Sequence, residues 1–254
     1  MTKLLGVIGD PIAHSMSPLI HNGWLRDMGF DATYEAMHVV DGAFDETLRT
    51  LAQRDILGLN VTLPHKGAAL KAASEVSDAD EQIGAANTLT YLGDASWRAD
   101  NTDAPGVLSA LGPVARGSEK VLILGAGGSA RALVYALSGA GFEVAILNRT
   151  ESKAEQLAKE LGTETTVYGS LAQTAEQIDA ATIVINTTSM GYSDKVIDLP
   201  NGRDRLFFDI SYGKIAARQI AVARKSGWRV KDGLSMLVAQ AAFSFEIWFG
   251  EKPD

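Results

Sequence analysis

A short apolar run followed by a glycine-rich turn constrains the fold of this chain more than any other feature. Val121–Leu124 reads VLIL, and Gly125–Ala130 follows it directly as GAGGSA. A continuous apolar run of this length is typical of a strand that is covered on both faces. A helical pattern from about Ala130 to Gly139 and another apolar run at Glu143–Leu147 come next. This order predicts a doubly wound α/β unit.

The same alternation extends along the rest of the chain. Further strands are predicted at Leu4–Gly9, Gly58–Leu63, Ile183–Asn186, Leu206–Asp209 and Arg229–Lys231. Further helices are predicted at Ser17 to about Gly29, Phe44–Leu51, Lys153–Leu161 and Leu234–Phe249. Ser17 is the predicted N-cap of the first helix, because Pro18 suits the first helical position. The last helix is apolar on nearly all sides, which favours a position between other elements.

The stretch Gly112–Gly117, which contains two glycines and a proline, is the best candidate for a domain boundary. It separates a helical pattern from the strand at Val121. We therefore expect an N-terminal α/β domain over residues 1–110 and a doubly wound domain over residues 111–233.

Composition excludes several classes of protein. The 254 residues include no cysteine, which rules out a disulfide scaffold, a thiolate metal site and a cysteine nucleophile. A formal net charge of −8 argues against a nucleic-acid partner, which needs a basic surface. No apolar run is long enough to cross a membrane, and the four histidines are too scattered to predict a metal site. We expect a cytoplasmic protein that acts on small molecules.

The glycine turn has the pattern G-x-G-x-x-A in the context that a dinucleotide site requires. Gly125 allows a tight turn, Gly127 lets the backbone approach a pyrophosphate, and Ala130 allows close packing of helix on strand. Such turns also occur for packing alone, but the flanking strands and helix favour a cofactor. We expect contacts to it from Gly125, Ala126, Gly127, Gly128, Ser129 and Ala130.

The residues after the second strand of this unit favour NADP(H) over NAD(H). An NAD site would place an acidic residue there to bind the ribose 2′-hydroxyl. This chain instead has Asn148, Arg149 and Thr150, with Lys153 one turn further. An arginine at this position can pair with a 2′-phosphate. The alternative is that Arg149 and Lys153 are simply solvated residues at the start of a helix.

Four polar clusters in the first half of the chain each follow an apolar run. They are His14–Ser17, Asn60–Lys66, Ala85–Thr88 and Asp100–Asp103. Each has a simple structural explanation by itself, for example Asp103 as the cap of a helix that begins near Ala104. Together they offer hydroxyls, amides and a lysine–aspartate pair, which suit a small, polyhydroxylated, anionic substrate.

Eight segments in order make the chain resemble the shikimate dehydrogenase family over essentially its full length. They are GVIGDPIAHSMSP (6–18), NVTLPHK (60–66), AANTL (85–89), DNTD (100–103), GAGGSARA (125–132), NRTESKA (148–154), NTTSMG (186–191) and GLSMLVAQAAFSFEIW (233–248). The family reduces 3-dehydroshikimate to shikimate with NADPH. The resemblance also implies that residues 234–254 return to the first domain.

The resemblance implies a role for individual residues. Lys66 and Asp103 would form the catalytic pair. The substrate would contact Ser15, Ser17 and Tyr212 at its carboxylate, and Asn60, Thr62, Asn87 and Gln240 at its ring hydroxyls. Further cofactor contacts would come from Thr187, Ser189, Met190, Gly233 and Met236.

Two alternatives stay open at this stage. One is a quinate/shikimate dehydrogenase that uses NAD, against which Arg149 argues. The other is a dinucleotide-binding regulator without catalytic activity, against which the presence of both Lys66 and Asp103 argues. The oligomeric state is not readable from the sequence, and a homodimer is one alternative.

Overall fold

A computed structural model describes residues 2–112, 119–164, 166–203 and 205–254. The chain divides into two compact units. The first comprises Met1–Gly106 together with Leu237–Asp254, and the second comprises Val107–Met236. The end of the chain therefore returns to the first unit. Of the predicted boundary Gly112–Gly117, residues 113–117 lie outside the described part of the chain.

The first unit contains a six-stranded mixed sheet. Its strands are β1 (Lys3–Gly9), β2 (Ala32–His38), β3 (Ile56–Val61), β4 (Glu75–Val76), β5 (Thr88–Gly93) and β6 (Ser96–Asp100). The helices that start in this unit are α1 (Ser17–Met28), α2 (Phe44–Leu51), α3 (Lys66–Ala72), α4 (Asp78–Ile83) and α5 (Asp103–Leu111). The strand order is β2-β1-β3-β5-β6-β4, and only β5 runs antiparallel to its neighbours.

The second unit contains a six-stranded parallel sheet. Its strands are β7 (Lys120–Leu124), β8 (Glu143–Asn148), β9 (Val167–Ser170), β10 (Ile183–Asn186), β11 (Leu206–Asp209) and β12 (Arg229–Lys231). The remaining helices are α6 (Gly128–Gly139), α7 (Glu151–Leu161), α8 (Thr174–Ala180), α9 (Gly213–Lys225) and α10 (Leu234–Phe249). The order β12-β11-β10-β7-β8-β9 is that of a doubly wound dinucleotide-binding fold, so the predicted fold class is confirmed.

The order of the strands locates the functional edge of each sheet. In an open α/β sheet, ligands bind beyond the carboxyl ends of the strands, where the strand order reverses. That point lies between β7 and β10 in the second unit, and between β1 and β3 in the first. The central strands have the expected apolar character, since Val121–Leu124 and Ile183–Ile185 are each at most 2% exposed.

Several boundaries differ from the sequence prediction. Ser17 is not the N-cap of α1: it is the first helical residue, and the cap position belongs to Met16, whose side chain forms no capping bond. The prediction was wrong because Ser15 provides the local bond, as its Oγ accepts from the Ser17 backbone N–H at 3.3 Å. Strand β3 ends at Val61, before Pro64 could end it, and α7 begins at Glu151.

Neither a membrane-spanning helix nor a cluster of metal ligands occurs within the described ranges. None of the helices described there is long and apolar enough to cross a bilayer. In the same residues, no three histidine, aspartate or glutamate side chains come together as a set of metal ligands.

Candidate active site

Lys66 and Asp103 form a buried ion pair in the first unit. Lys66 is the first residue of α3 and Asp103 the first residue of α5. Their side chains are 12% and 6% exposed, and Lys66 Nζ donates to Asp103 Oδ2. An ion pair this deeply buried costs desolvation, and it persists only where further hydrogen bonds satisfy the charges.

Asn87 supplies the second hydrogen bond to the buried carboxylate. Its Nδ2 lies 3.0 Å from Asp103 Oδ1 and 3.1 Å from Gln240 Oε1. Its Oδ1 accepts from the backbone N–H of Thr102 at 2.7 Å. Asn87 therefore links Gln240, which is 153 positions further along the chain, to the Lys66–Asp103 pair. Lys66, Asn87, Asp103 and Gln240 form one hydrogen-bonded group.

The start of α5 is capped by Asn101 rather than by Asp103. Asn101 Oδ1 accepts from the backbone N–H groups of Asp103 and Ala104, at 3.0 and 3.2 Å. Asn101 is itself held by Asp80, whose Oδ1 accepts its backbone N–H at 3.0 Å. Burial raises the pKa of Asp80, against a hydrogen bond from Ser77 that lowers it. The capping explanation of Asp103 is therefore wrong, and its carboxylate is available for Lys66.

Helix α10 reaches the site because α5 has a glycine where the two helices meet. A Cβ on Gly106 would lie 3.0 Å from Gln240 Cβ and 3.4 Å from Gln240 Cα. Gln240 is 9% exposed, and its Nε2 donates to the Leu237 backbone carbonyl at 2.8 Å. One turn further along, Ser244 is fully buried and contacts the side chains of Asn60, Thr88 and Thr102.

Asn60 lies within the protein interior and its side chain is occupied by protein partners. It is 4% exposed. Its Oδ1 accepts from the Tyr34 hydroxyl at 2.7 Å, and its Nδ2 donates to Ser244 Oγ at 2.8 Å. A side chain engaged at both ends has little capacity left for a ring hydroxyl. Its contact with a ring hydroxyl stays a prediction, and its protein bonds indicate a supporting position behind Asn87.

Three of the other predicted substrate ligands, Thr62, Ser15 and Ser17, lie beyond the carboxyl ends of β3 and β1. Thr62 directly follows β3, and its Cγ2 would lie 2.4 Å from a Cβ on Gly9. Gly9 is therefore needed for Thr62 to sit beside the end of β1. Ser15 and Ser17 are neighbours at the start of α1, joined by the bond from the Ser17 N–H to Ser15 Oγ. Tyr212 belongs to the second unit, where it precedes α9.

The glycine turn of the second unit has the geometry that the motif predicts. Gly125 has φ +114°, which only glycine adopts without strain. A Cβ on Gly125 would lie 2.4 Å from Thr187 Oγ1, whereas a Cβ on Gly127 would meet no protein atom within 4 Å. Gly127 is the N-cap of α6 and provides no side chain to cap it. Ala130 is fully buried against the sheet.

This turn forms a cradle with backbone donors at a helix N-terminus, which suits a phosphate group. Ala126, Gly128 and Ser129 complete the turn at the carboxyl end of β7, and all three are half-buried. The open space at Gly127 leaves room for a ligand to approach the backbone.

The predicted 2′-phosphate residues lie at the carboxyl end of β8 and the start of α7. Asn148 Nδ2 donates to the Thr150 backbone carbonyl at 2.9 Å, which shapes the connection. Arg149, Thr150 and Lys153 are exposed. The side chains of Arg149, Thr150 and Lys153 therefore face solvent near the carboxyl end of β8, where two positive charges and a hydroxyl can bind a phosphate group.

The loop after β10 is anchored by a buried pair that the sequence analysis did not identify. Asn186 Nδ2 donates to Asp209 Oδ2 at 2.9 Å, and Asn186 Oδ1 accepts from Thr188 N–H and Oγ1. Burial raises the pKa of Asp209, while bonds from Asn186 and Ser211 lower it. Thr187 Oγ1 donates to the Leu124 carbonyl at 2.8 Å. The loop is thus fixed against the glycine turn.

The last predicted cofactor residues differ in accessibility. Ser189 is exposed and Met190 half-buried in the loop after β10. Gly233 is needed for close packing, because a Cβ there would lie 1.9 Å from the Ile210 carbonyl oxygen. Met236 is only 5% exposed. In the described structure, Met236 is therefore part of the core of its unit.

Three family models match the chain. The model described as "Shikimate dehydrogenase substrate binding domain" matches residues 7–89. "Shikimate / quinate 5-dehydrogenase" matches residues 112–222, and "Shikimate 5'-dehydrogenase C-terminal domain" matches residues 233–254. Together they extend over most of both units.

Individual proteins show the same similarity. The shikimate dehydrogenase (NADP(+)) of Hyphomonas neptunium is 48% identical, with 100% of this chain and 94% of the relative covered. The crystal structure of shikimate dehydrogenase from Aquifex aeolicus has a TM-score of 0.87 at 32% identity, covering 100% of this chain and 94% of that one. The Thermus thermophilus enzyme in complex with NADP(H) and shikimate has a TM-score of 0.83 at 34% identity, covering 100% and 95%.

Proposed function

Because the chain belongs to the shikimate dehydrogenase family, we propose that it catalyses the reversible, NADP-dependent reduction of 3-dehydroshikimate to shikimate. The observation that carries this proposal is the buried Lys66–Asp103 pair, bonded through Asn87 to Gln240. A regulator that only binds a dinucleotide does not require a buried ion pair, whose desolvation is unfavourable. The site therefore supports catalysis over binding alone.

The two units divide the work in this proposal. We assign the substrate to the first of the domains predicted from the sequence, residues 1–110 with 234–254, and the cofactor to the second, residues 111–233. When bound, NADP(H) supplies the hydride in reduction and accepts it in oxidation. The cradle at Gly127 fits its pyrophosphate, and Arg149 with Thr150 and Lys153 fits its 2′-phosphate. Thr187, Ser189 and Met190 are assigned to the cofactor side as well.

Substrate orientation falls to polar side chains of the first unit. We assign Ser15 and Ser17 to the substrate carboxylate. Thr62, Asn87 and Gln240 are assigned to the ring hydroxyls. Amides and hydroxyls that would otherwise stay unpaired make such a site selective, because an analogue lacking a hydroxyl leaves them without a partner.

Lys66 handles the proton. As a ketone is reduced, its oxygen gains negative charge, which an ammonium group stabilises electrostatically. The Lys66 Nζ–H bond then breaks as the new O–H bond forms, and in the oxidation direction the neutral amine takes the proton back. Asp103 accepts a hydrogen bond from the amine and so fixes its direction.

A steady-state assay tests this function. The purified protein is supplied with shikimate or quinate, each with NADP⁺ and with NAD⁺, and reduced cofactor is followed by absorbance. Shikimate with NADP⁺ is expected to give the highest kcat/KM. Quinate with NAD⁺ as the best pair would favour the second enzyme class, and no turnover of either acid would favour a regulator.

The proposal also includes a cytoplasmic location. A phosphorylated dinucleotide and a small anionic acid are both soluble ligands. Because the chain has no cysteine, its fold contains no disulfide that a reducing compartment could break.

A further inference from the structure

Five buried polar side chains lie behind the catalytic pair, and we call them the polar layer: Tyr34, Asn60, Thr88, Thr102 and Ser244. Each is at most 4% exposed. We propose that the polar layer consists of positioning residues, which fix the side-chain amide of Asn87 so that it donates to Asp103. This inference rests on the proposed function and assigns residues that act through Asn87 rather than on the substrate.

The chain of hydrogen bonds that leads to Asn87 begins at the Tyr34 hydroxyl. A phenol has one proton, and that of Tyr34 is donated to Asn60 Oδ1 at 2.7 Å. The carbonyl end of Asn60 is thereby directed toward Tyr34, and its amino end toward the site. Asn60 Nδ2 donates to Ser244 Oγ at 2.8 Å, with Thr88 Oγ1 at 3.2 Å.

The hydroxyl groups of Thr88, Thr102 and Ser244 connect Asn60 with Asn87. Ser244 Oγ lies 2.8 Å from Thr88 Oγ1 and 3.1 Å from Thr102 Oγ1. Since Ser244 accepts from Asn60, its own proton is available to the other hydroxyls or to the Gln240 carbonyl at 3.1 Å. The Thr102 backbone N–H donates to Asn87 Oδ1 at 2.7 Å, and Thr102 Oγ1 lies 2.9 Å from Asn87 Nδ2, which donates to it, and 3.2 Å from Asn87 Oδ1.

The consequence is one preferred orientation of the Asn87 amide. Its oxygen faces the donors of Thr102, so its nitrogen must face Asp103 Oδ1 and Gln240 Oε1. If the amide were flipped, its oxygen would face the Asp103 carboxylate and its nitrogen would face the Thr102 N–H. Both contacts are repulsive. The Thr102 backbone N–H thus selects the orientation of the amide, and the contacts of Ser244 and Thr88 with Thr102 Oγ1 hold that segment in place, so that Asp103 keeps its second donor.

Folding alone gives a weaker account of these residues. Buried hydroxyls and amides lose hydration, and apolar residues of the same shape can replace paired polar groups with little change in stability. The five members come from β2, β3, β5, the approach to α5, and α10. Their bonds nevertheless converge on one residue, the one that contacts the catalytic carboxylate.

Two isosteric variants test the proposal, each with a matched control. Tyr34→Phe removes the first donor, and Tyr91→Phe removes a hydroxyl that bonds Ala52 and Ala95 instead. Thr88→Val removes a hydroxyl of the polar layer, and Thr90→Val removes a buried hydroxyl on the same strand for which no partner is found in the described residues. Thr88→Ser keeps the hydroxyl and serves as the rescue variant.

The readout is kcat for shikimate oxidation with NADP⁺ at saturating substrate, together with the melting temperature. We expect kcat to fall about tenfold in Tyr34→Phe and in Thr88→Val, the size expected for one lost hydrogen bond in the transition state. Thr88→Ser and both controls should stay within about twofold of the wild type. The melting temperatures of these variants should not correlate with their kcat values.

Two results would overturn the inference. One is a kcat within about twofold of wild type in both test variants. The other is an equal loss in the controls, which would mean a general effect of removing hydroxyls. If the wild-type protein does not oxidise shikimate at all, it is the proposed function that fails. If it does and the variants behave like it, only the positioning role fails.

Discussion

The catalytic group of the first unit and the cofactor turn of the second are built in opposite ways. Lys66, Asn87, Asp103 and Gln240 come from separate segments and are held by bonds between side chains. The turn at Gly125–Ala130 is one contiguous stretch that offers its backbone. The first needs many distant residues to be correct at once, whereas the second needs only a strand, two glycines and a helix.

This difference sets how each site responds to change. A buried side-chain network transmits the loss of one member to its neighbours, because partners left unpaired cannot turn to water. A backbone cradle has no side chain to lose, and it fails only when something fills the space the ligand requires. Four variants sharpen the contrast.

The largest effect among them is expected for Asn87→Asp, which keeps the shape of the side chain. The change removes the donor 3.0 Å from Asp103 Oδ1 and places a second carboxylate there. We expect kcat to fall about 10- to 100-fold, since a hydrogen bond to a charged group contributes ~1.5–3 kcal/mol. Steady-state rates with shikimate and NADP⁺ measure this. A kcat equal to that of the wild type would show that the network is dispensable.

Gly127→Ala tests the cradle without disturbing the fold. The added Cβ meets no protein atom within 4 Å, and the backbone of Gly127 is in an ordinary extended conformation. The melting temperature of the free protein should therefore not change, whereas the Kd for NADP⁺ should rise about tenfold, because the methyl group fills the space of the pyrophosphate. Gly139→Ala, also free of contacts and at the other end of α6, is the control. Unchanged NADP⁺ binding would refute the cradle.

Arg149→Ala tests the choice of cofactor. The exposed guanidinium is expected to pair with the 2′-phosphate, so its removal should raise the KM for NADP⁺ several-fold to tenfold and leave that for NAD⁺ nearly unchanged. Replacing Arg224, in the last turn of α9, with alanine provides a control for the loss of one positive charge. If the preference for NADP⁺ survives in Arg149→Ala, Arg149 is only a solvated residue.

The smallest effect concerns stability and His21, which stacks on Tyr34 at 4.2 Å between ring centroids. Burial lowers the pKa of His21 to about 3, against a smaller opposing effect of its bond with Asn60. The unfolded chain binds this proton below pH 6.5 and the folded chain does not, so stability falls on acidification. We expect a loss of about 1 kcal/mol between pH 7 and 5.5 from this residue. Urea unfolding should show a flatter pH dependence in His21→Phe, and an identical slope would contradict the assignment.

Elements with a local signal could be predicted from the sequence. Strands β10, β11 and β12 and helix α10 begin and end where predicted, because apolar runs, glycines and charged residues mark both ends. The dinucleotide-type fold follows from the same local order. At the start of α1 the local signal was ambiguous, because two serines compete there. A serine two residues earlier provided the bond that was assigned to Ser17.

The polar layer could not be predicted, because no local pattern relates its members. Ser244 looks like one small residue on an apolar helix, and Tyr34 like one aromatic residue on an edge strand. Only in the folded chain do both contact Asn60, which is 26 positions from Tyr34 and 184 positions from Ser244. The family resemblance implies a substrate contact for Asn60, and no sequence pattern indicates that its side chain is buried among these partners.

The central claim is that the buried pair moves the proton, and kinetics of Lys66→Ala test it most directly. The measurement is kcat for shikimate oxidation at saturating NADP⁺, with the Kd for NADP⁺ determined on the same preparation. The account predicts that kcat falls ~10²- to 10⁴-fold, as for loss of a general acid–base group, while the Kd stays within a few-fold of the wild type. A kcat within a few-fold of the wild type, with only the KM for shikimate raised, would contradict it.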